Sequence, residues 1–472
     1  MAAAKGLFID GTWRDTSERM AVIHKFTGAT LDEVAVAGPA EVDAAVQAAS
    51  EAQTHPLGPA ERHRVLTAVA AAVREQADEL AALIAREGGK PLKDALAEVG
   101  RAAETLTLSA MEARRLGGEV VPVEGSPGAE DRLAFTLRVP VGVVAAITPF
   151  NFPLNLVCHK VGPAIAAGNA VVLKPASATP LTAIRLVELF ADAGLAPGVL
   201  NMVLGPGGTV GEALLAHPGV DLYTFTGSPP VGRRIKERTG LRRVLLELGN
   251  NSPNIVCADA DLERAASLLA RRGFGSAGQS CISVQRIYVE REVFEPFLDR
   301  LLEETGRLVT GDPENPATDV GPMISEAEAR RAEAWIREAV DGGARVLLGG
   351  DRQGAVLQPT VLVDVTPAMR VVCEEVFAPV VSVVAVDSLD EAIEASNATE
   401  YGLQAGIFTA SLGHAVVAAR RLRFGGVIIN DASAFRADVM PYGGVRGSGA
   451  GREGPRYAVE EMTEVRVVVI RP

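Results

Sequence analysis

Between residues 40 and 114 apolar positions recur every third or fourth residue, and from Val141 they collect into short unbroken runs. The first pattern predicts helices: Ala40 to about Gln53, Ala60 through Arg86, and Leu92 to about Leu116. Residues 117–138 mix Gly, Pro, Val and Glu in short alternating pieces, as in a β-hairpin or an extended arm. After them, strand-like runs at 141–147, 170–173, 199–204 and 222–226 alternate with helical stretches at 154–167, 181–193 and 210–217 and another beginning near Pro230. That alternation predicts a right-handed parallel α/β sheet. A second α/β segment covers about 253–440. Its strands fall near 255–257, 286–290, 380–386, 406–408 and 427–430, and its helices near 262–271, 294–308 and 326–341. The last apolar strand, Val465 to Ile470, has no local partner, so it is expected to pair with the 117–138 arm or with another subunit.

The chain has 472 residues, 48% hydrophobic and 22% charged, which is globular composition of a length that divides into two or more domains. A net charge of −13, with both signs interspersed, argues against nucleic acid as the main partner. Cys158, Cys257, Cys281 and Cys373 show no CxxC spacing, so no metal site is expected. Few cysteines in a long chain suggest a reducing compartment. The N-terminal stretch Met1 to Asp10 lacks the continuous apolar core of a signal peptide, and no window of about twenty residues is apolar enough to span a membrane. A cytoplasmic location, with no membrane partner, is the expectation.

Candidate chemistry centres on Cys281. Small residues (Gly275, Ser276, Ala277, Gly278) precede it and the β-prone run from Ile282 to Val289 follows, so backbone can approach closely and another molecule can reach the sulfur. Glu247 lies in an apolar segment where burial would raise its pKa toward neutrality. Asn151 sits between aromatic residues. Thiol nucleophile, tuned carboxylate base and amide donor are the parts of an acyl-transfer site.

Two strand-to-helix turns are candidates for binding a phosphorylated ligand. Phe225-Thr226-Gly227-Ser228 runs into a helix whose N-terminus offers N–H groups and a positive dipole end. The usual three-glycine dinucleotide fingerprint is absent, and an ordinary βα turn is the other reading. Lys174 ends a strand at the sheet edge where ligands of open α/β sheets bind, or is simply exposed.

The segments Pro149-Phe150-Asn151-Phe152-Pro153, Phe225-Thr226-Gly227-Ser228, Glu247-Leu248-Gly249 and Gly278-Gln279-Ser280-Cys281 resemble the aldehyde dehydrogenase superfamily. So do Glu374-Glu375-Val376-Phe377-Ala378-Pro379, Pro441-Tyr442-Gly443-Gly444 and the run from Gly447 to Gly454, in the family's order over roughly residues 5–470. The resemblance implies a Rossmann-like parallel-sheet cofactor domain (1–116 and 139–248), a second α/β catalytic domain (249–440) and a small β oligomerisation arm (117–138 and 455–472). It implies that Cys281 attacks an aldehyde, that Asn151 and the Cys281 N–H hold the oxyanion, and that Glu247 activates the water that hydrolyses the thioester. The cofactor would be NAD or NADP. Lys174 would reach the adenosine ribose, Ser228 the pyrophosphate and Glu375 the nicotinamide ribose, with Phe377 beside the ring. Thr148, Pro149, Phe150, Gly207, Gly211, Phe225, Thr226, Gly227, Leu248 and Gly249 would complete the cofactor cleft. Phe377, Gly227, Gly249 and Gly443 also have purely structural readings, as a core aromatic and turn glycines.

Departures from the pattern narrow the expectation. Phe150 stands where Trp is usual, and Asn250-Asn251 follow Glu-Leu-Gly. Ser177 stands where many NAD-preferring members carry Glu. A hydroxyl that donates to one ribose oxygen, without a carboxylate to repel a 2′-phosphate, predicts that NADP is accepted. The run Asn430 to Tyr442 resembles a branch acting on lactaldehyde, phosphonoacetaldehyde and glyceraldehyde 3-phosphate, which implies a short aldehyde with an anionic or hydroxylated tail. Arg436, Arg286, Arg101 and His159 are the candidates to hold that tail. Arg286 has a second reading as a brace of the catalytic loop, and Arg101 as a helix-surface residue. The rivals are CoA-acylating action, a non-enzymatic relative, and a cofactor-independent cysteine hydrolase. None of the six histidines sits in a recognisable catalytic context for the last. The resemblance also implies a homodimer or homotetramer built through the arm and the last strand.

Overall fold

Five apolar runs form parallel strands in the spatial order Leu200–Met202, Ala170–Lys174, Val143–Ile147, Leu222–Thr226, Arg243–Glu247 in the computed structural model, which describes residues 6–472. The middle three are almost wholly buried, because helices pack over the sheet and leave no solvated face to demand polar alternation. In chain order the sheet reads third, second, first, fourth, fifth. The winding direction therefore reverses between Val143–Ile147 and Leu222–Thr226, and beyond the C-terminal ends of those strands opens the crevice where such sheets bind ligands. Leu7–Ile9 and Thr12–Arg14 extend one edge antiparallel, and Gly449–Ala450 pairs antiparallel with Arg243–Glu247 at the other. The hydrophobic pattern gives no sign of these edge pieces, which are too short to show a period.

The helix expected over 60–86 is two helices, Pro59–Glu75 and Ala77–Gly88, broken at Gln76. The helix expected over 210–217 shortens to Glu212–Ala216, preceded by a wide turn over Gly207–Gly211. A second sheet runs Arg345–Leu348, Thr360–Val363, Val380–Val386, Val284–Glu290, Ser252–Val256, Gln404–Phe408, Gly426–Ile429, parallel apart from its first strand, with its own core.

The last strand, Thr463–Ile470, pairs antiparallel with Leu133–Pro140 of the same chain, and Val120–Val121 flanks the other side. The arm strand thus runs past residue 138. Residues 455–461, expected in the arm, are instead the helix Pro455–Glu461, which packs on Asn155–Ala167 and places Val459 in the first core. Its buried apolar face draws it to that core. Among the described residues no helix is long and apolar enough to cross a membrane. Residues 1–5 of the N-terminal stretch read above lie outside the described residues.

Candidate active site

Cys281 lies just before strand Val284–Glu290, at the N-terminal edge of the second sheet. The loop that delivers it carries three successive left-handed residues, Ser276 (φ 51°), Ala277 (φ 54°) and Gly278 (φ 67°). A Cβ on Gly278 would sit 2.0 Å from the Ala378 carbonyl oxygen, so only glycine fits that approach. The Gln279 side chain clamps the loop, accepting from Ile324 N at 2.8 Å and donating to Ser276 O at 3.2 Å.

Asn151 follows the central strand of the first sheet, and its Nδ2 donates to Gln279 O at 2.8 Å, tying that sheet edge to the cysteine loop. Its Oδ1 is buried without a partner. Glu247 ends strand Arg243–Glu247, only 3% exposed, with Oε2 also unpartnered. A Cβ at Gly443 would lie 2.9 Å from Glu247 Oε1, so that glycine leaves room for the carboxylate. All three side chains line one cavity of about 1400 Å³. Burial, and then the neighbouring Glu453 carboxylate, hold Glu247 well above the usual carboxylate range. Burial pushes the Cys281 thiol up to about 12, with the Tyr442 hydroxyl and the Arg436 charge opposing that rise.

Thr148, Pro149, Phe150, Lys174, Gly207, Gly211 and Phe225 through Ser228 line the same cavity at the sheet's winding reversal, joined by Leu248, Gly249, Glu375 and Phe377. A Cβ on Gly249 would meet Glu375 Oε2 at 2.3 Å, which gives that glycine a packing reason. Glu375 accepts from Asn250 N at 2.9 Å, and burial raises its carboxyl to about 7. Phe377, itself left-handed (φ 49°), stands edge-on to Phe150 at 6.0 Å. Among the described residues the hydroxyls of Thr148 and Thr226 are buried without partners, and Lys174 donates to the Pro175 carbonyl, burial lowering its ammonium to about 8. Two unpartnered hydroxyls and a buried ammonium lining one large cavity fit a polyol and phosphate ligand such as a nicotinamide dinucleotide.

Two expectations change here. Ser177 does not face the cavity, although Ala176 and Ala178 do; its hydroxyl donates to Gly205 O at 2.8 Å. Its bearing on the cofactor is therefore the lack of a carboxylate, not a donated hydrogen bond. At the helix after Ser228, Pro229 and Pro230 fill the first two positions and have no N–H, so that helix start offers its dipole but fewer donors.

Three of the four tail-binding candidates gather, and one does not. Asp438 takes both Arg101 (3.0 and 2.7 Å) and His159 Nε2 (2.8 Å). Arg436 reaches His159 Nε2 at 3.1 Å and Glu453 Oε2 at 2.9 Å, and stacks 3.7 Å over the Tyr442 ring. Lys160 closes the group on Glu453 at 3.0 Å. Arg101, Arg436 and Lys160 thus face Asp438 and Glu453, and Arg436 and Lys160 also act on Glu247. Burial and then Arg436 lower the His159 pKa, while the hydrogen bonds from His159 and Arg101 hold Asp438 far below its usual range against its burial. Arg286 is the exception: it is 2% exposed and donates to the carbonyls of Asn251, Ala395 and Ser396, bracing the strand that follows Cys281. Its partners lie outside the cysteine loop itself, so the brace acts on the strand and not on the loop as expected, and Arg286 does not join the cluster of Arg101, His159 and Arg436.

Glu453, Tyr442 and Glu98 do not stand out in sequence as site residues. Glu98 caps helix Asn155–Ala167 by accepting from Leu154 N (2.9 Å) and Asn155 N (3.2 Å), with Lys90 as its counter-ion. The available signal was Lys160, a charge inside an otherwise apolar helix. Cys158 and Cys257 are buried, whereas Cys373 is exposed. Cys257, Asp259 and His414 bring potential metal ligands within 4.8 Å of one another at the opposite edge of the second sheet, where Asp259 already accepts from Thr409.

The sequence pattern described as the aldehyde dehydrogenase family matches residues 13–468. The chain belongs to the aldehyde dehydrogenase family. As an aldehyde dehydrogenase it is an oxidoreductase, and the cavity holding Cys281, Glu247 and Asn151 is its candidate active site. It is 52% identical to a 3-sulfolactaldehyde dehydrogenase of Priestia aryabhattai over 98% of both chains. It is 39% identical to a lactaldehyde dehydrogenase of Methanococcus vannielii over 98% of this chain and 99% of that one. The crystal structure of a glyceraldehyde-3-phosphate dehydrogenase from Methanocaldococcus jannaschii complexed with NADP superposes with a TM-score of 0.93 at 38% identity, covering 97% of this chain and 100% of that one.

Proposed function

We propose that this aldehyde dehydrogenase oxidises a three-carbon 2-hydroxyaldehyde with an anionic group at C3, a sulfonate foremost, to the carboxylic acid, using NADP or NAD. The observation that carries the reaction is that Cys281, Glu247 and Asn151 line one cavity, with the Glu247 carboxylate unpartnered and free to take a proton. The substrate class is supported by the clustering of Arg101, Arg436 and Lys160 in one network, and by relatives named for sulfolactaldehyde and lactaldehyde.

Cys281 Sγ adds to the aldehyde carbon, and the carbonyl electron pair moves to oxygen. The second N–H of Asn151 Nδ2 and the Cys281 backbone N–H hold that oxyanion. Lys174, Ser228 and Glu375 would hold the nicotinamide dinucleotide, which when bound would accept the hydride that the sulfur-bearing carbon gives up as it becomes the thioester. Glu247 then takes a proton from water, which attacks the thioester carbon, and the C–S bond breaks with its electron pair returning to sulfur. Glu247, set to activate water, favours hydrolysis over transfer to CoA, and the hydrogen-bond partner of the Cys281 sulfur is Tyr442 rather than the histidine a cysteine hydrolase requires.

The decisive experiment is Cys281→Ser with 3-sulfolactaldehyde and NADP. Loss of turnover, with an acyl adduct on Cys281 in quenched wild-type enzyme, is expected; normal turnover in the serine variant sinks the proposal. A kcat/KM panel in which long aliphatic aldehydes beat every small anionic one sinks the substrate class alone. We also infer a homodimer or homotetramer through the open edge of Thr463–Ile470, whose Val465, Val467 and Val469 are exposed. Light scattering showing only monomer would refute it.

A further inference from the structure

We propose that the Tyr442 hydroxyl is a catalytic donor to the Cys281 sulfur, made stronger by the Arg436 guanidinium lying on the tyrosine ring. The inference rests on Cys281 being the nucleophile, the reading given above, and adds the group that makes its thiolate attainable. Tyr442 Oη lies 3.1 Å from Cys281 Sγ. Around the pair is an apolar cluster of Ile282, Leu403 and Ala434, in which an uncompensated thiolate would be costly. Asn151 spends one amide hydrogen on Gln279 O, and Tyr442 is the side-chain group hydrogen-bonded to the sulfur.

Tyr442 is held firmly. Its backbone exchanges two hydrogen bonds with Glu453, N to O at 3.1 Å and O to N at 2.6 Å. The same Glu453 anchors Arg436 by its carboxylate, and that fixes the guanidinium 3.7 Å from the centre of the Tyr442 ring. A cation on the ring face draws electron density from the phenol and makes its O–H a better donor. The other charged groups acting on the thiol are Glu247 and Glu375, both anionic when ionised and both opposing the thiolate. Arg436 and Tyr442 counter them.

In the free enzyme the proton of Cys281 leaves to water, and the Tyr442 O–H donates to the resulting thiolate while keeping its own proton. When the S–C bond forms, the sulfur becomes a poor acceptor and the hydrogen bond relaxes. When water expels the sulfur from the thioester, the C–S bonding pair returns to Sγ and the Tyr442 O–H again donates to it. Tyr442 thus acts at two points, on nucleophile formation and on leaving-group departure.

The test is the pH dependence of iodoacetamide alkylation at Cys281, followed by peptide mass spectrometry in a background carrying Cys373→Ser. Tyr442→Phe keeps the ring and the Arg436 stack but removes the hydroxyl. It should move the alkylation midpoint upward by about one to two pH units, with alkylation about 10- to 100-fold slower at neutral pH. Difluorotyrosine at position 442, a stronger donor of the same shape, should move the midpoint below that of the wild type. A merely structural role predicts no such opposite shift. An unchanged midpoint in both variants, with Cys281 still the alkylated residue, overturns the proposal. Failure of Cys281 itself to react would instead count against the nucleophile.

Discussion

Replacing Glu247 by Gln keeps the shape of the side chain and removes the base. The carboxylate is 3% exposed, has one oxygen without a partner, and fits against Gly443 without a Cβ between them, so the amide enters the same space. General-base assistance contributes about 10²- to 10⁴-fold, or about 3 to 5 kcal/mol of barrier, and the loss should fall on thioester hydrolysis alone. Stopped-flow absorbance at 340 nm should show a burst of reduced cofactor near one per active site, then steady turnover slowed by that factor. The wild-type rate should rise with pH along a limb lying above the ordinary carboxylate range, because burial and Glu453 raise the Glu247 pKa, and the variant should lack that limb. A carboxyl raised in the folded state supports folding fully below its unfolded pKa and loses that support as pH rises through the folded one. The Gln variant should therefore gain Tm relative to wild type increasingly as pH rises. Steady-state turnover within a few-fold of wild type, or slow turnover with the burst also lost, would refute the assignment of Glu247 to hydrolysis.

Other substitutions separate the remaining roles. Arg286→Lys should lower Tm by several degrees, because buried carbonyls that lose a donor cost about 1–3 kcal/mol each, while KM for the aldehyde stays unchanged; a raised KM with intact Tm would restore it as a tail-binding residue. Arg101→Gln should raise KM for 3-sulfolactaldehyde about tenfold and leave lactaldehyde nearly untouched, the loss of one charge-assisted contact; equal effects on both would refute an anion role. Lys174, held at about 8 by burial, is charged below that pH, so KM for NADP should rise as pH increases through 8 and Lys174→Met should flatten the profile. Ser177→Ala should leave KM for NADP nearly unchanged, since its hydroxyl serves Gly205; a tenfold rise would reinstate a direct contact.

Much of the framework was legible because the buried strands of the first sheet are long enough to show unbroken apolar runs, and because the residues around Asn151, Glu247 and Cys281 form contiguous segments. The helix break at Gln76 and the two- and three-residue edge strands escaped, since pieces that short carry no period.

An α/β chain of alternating strands and helices, a thiol in a small-residue loop, and a carboxylate and an amide in motif segments are all features written locally in the amino-acid order. Tertiary structure decided which charges meet. Arg101, His159, Lys160, Arg436, Asp438 and Glu453 come from three distant stretches and form one network only after helix Asn155–Ala167 docks against the loop near 436. It also turned Arg286 inward and Ser177 away from the cavity. The physical reason is that periodicity reports which face of an element is buried, whereas hydrogen-bond partners depend on distances between elements that are far apart in the chain.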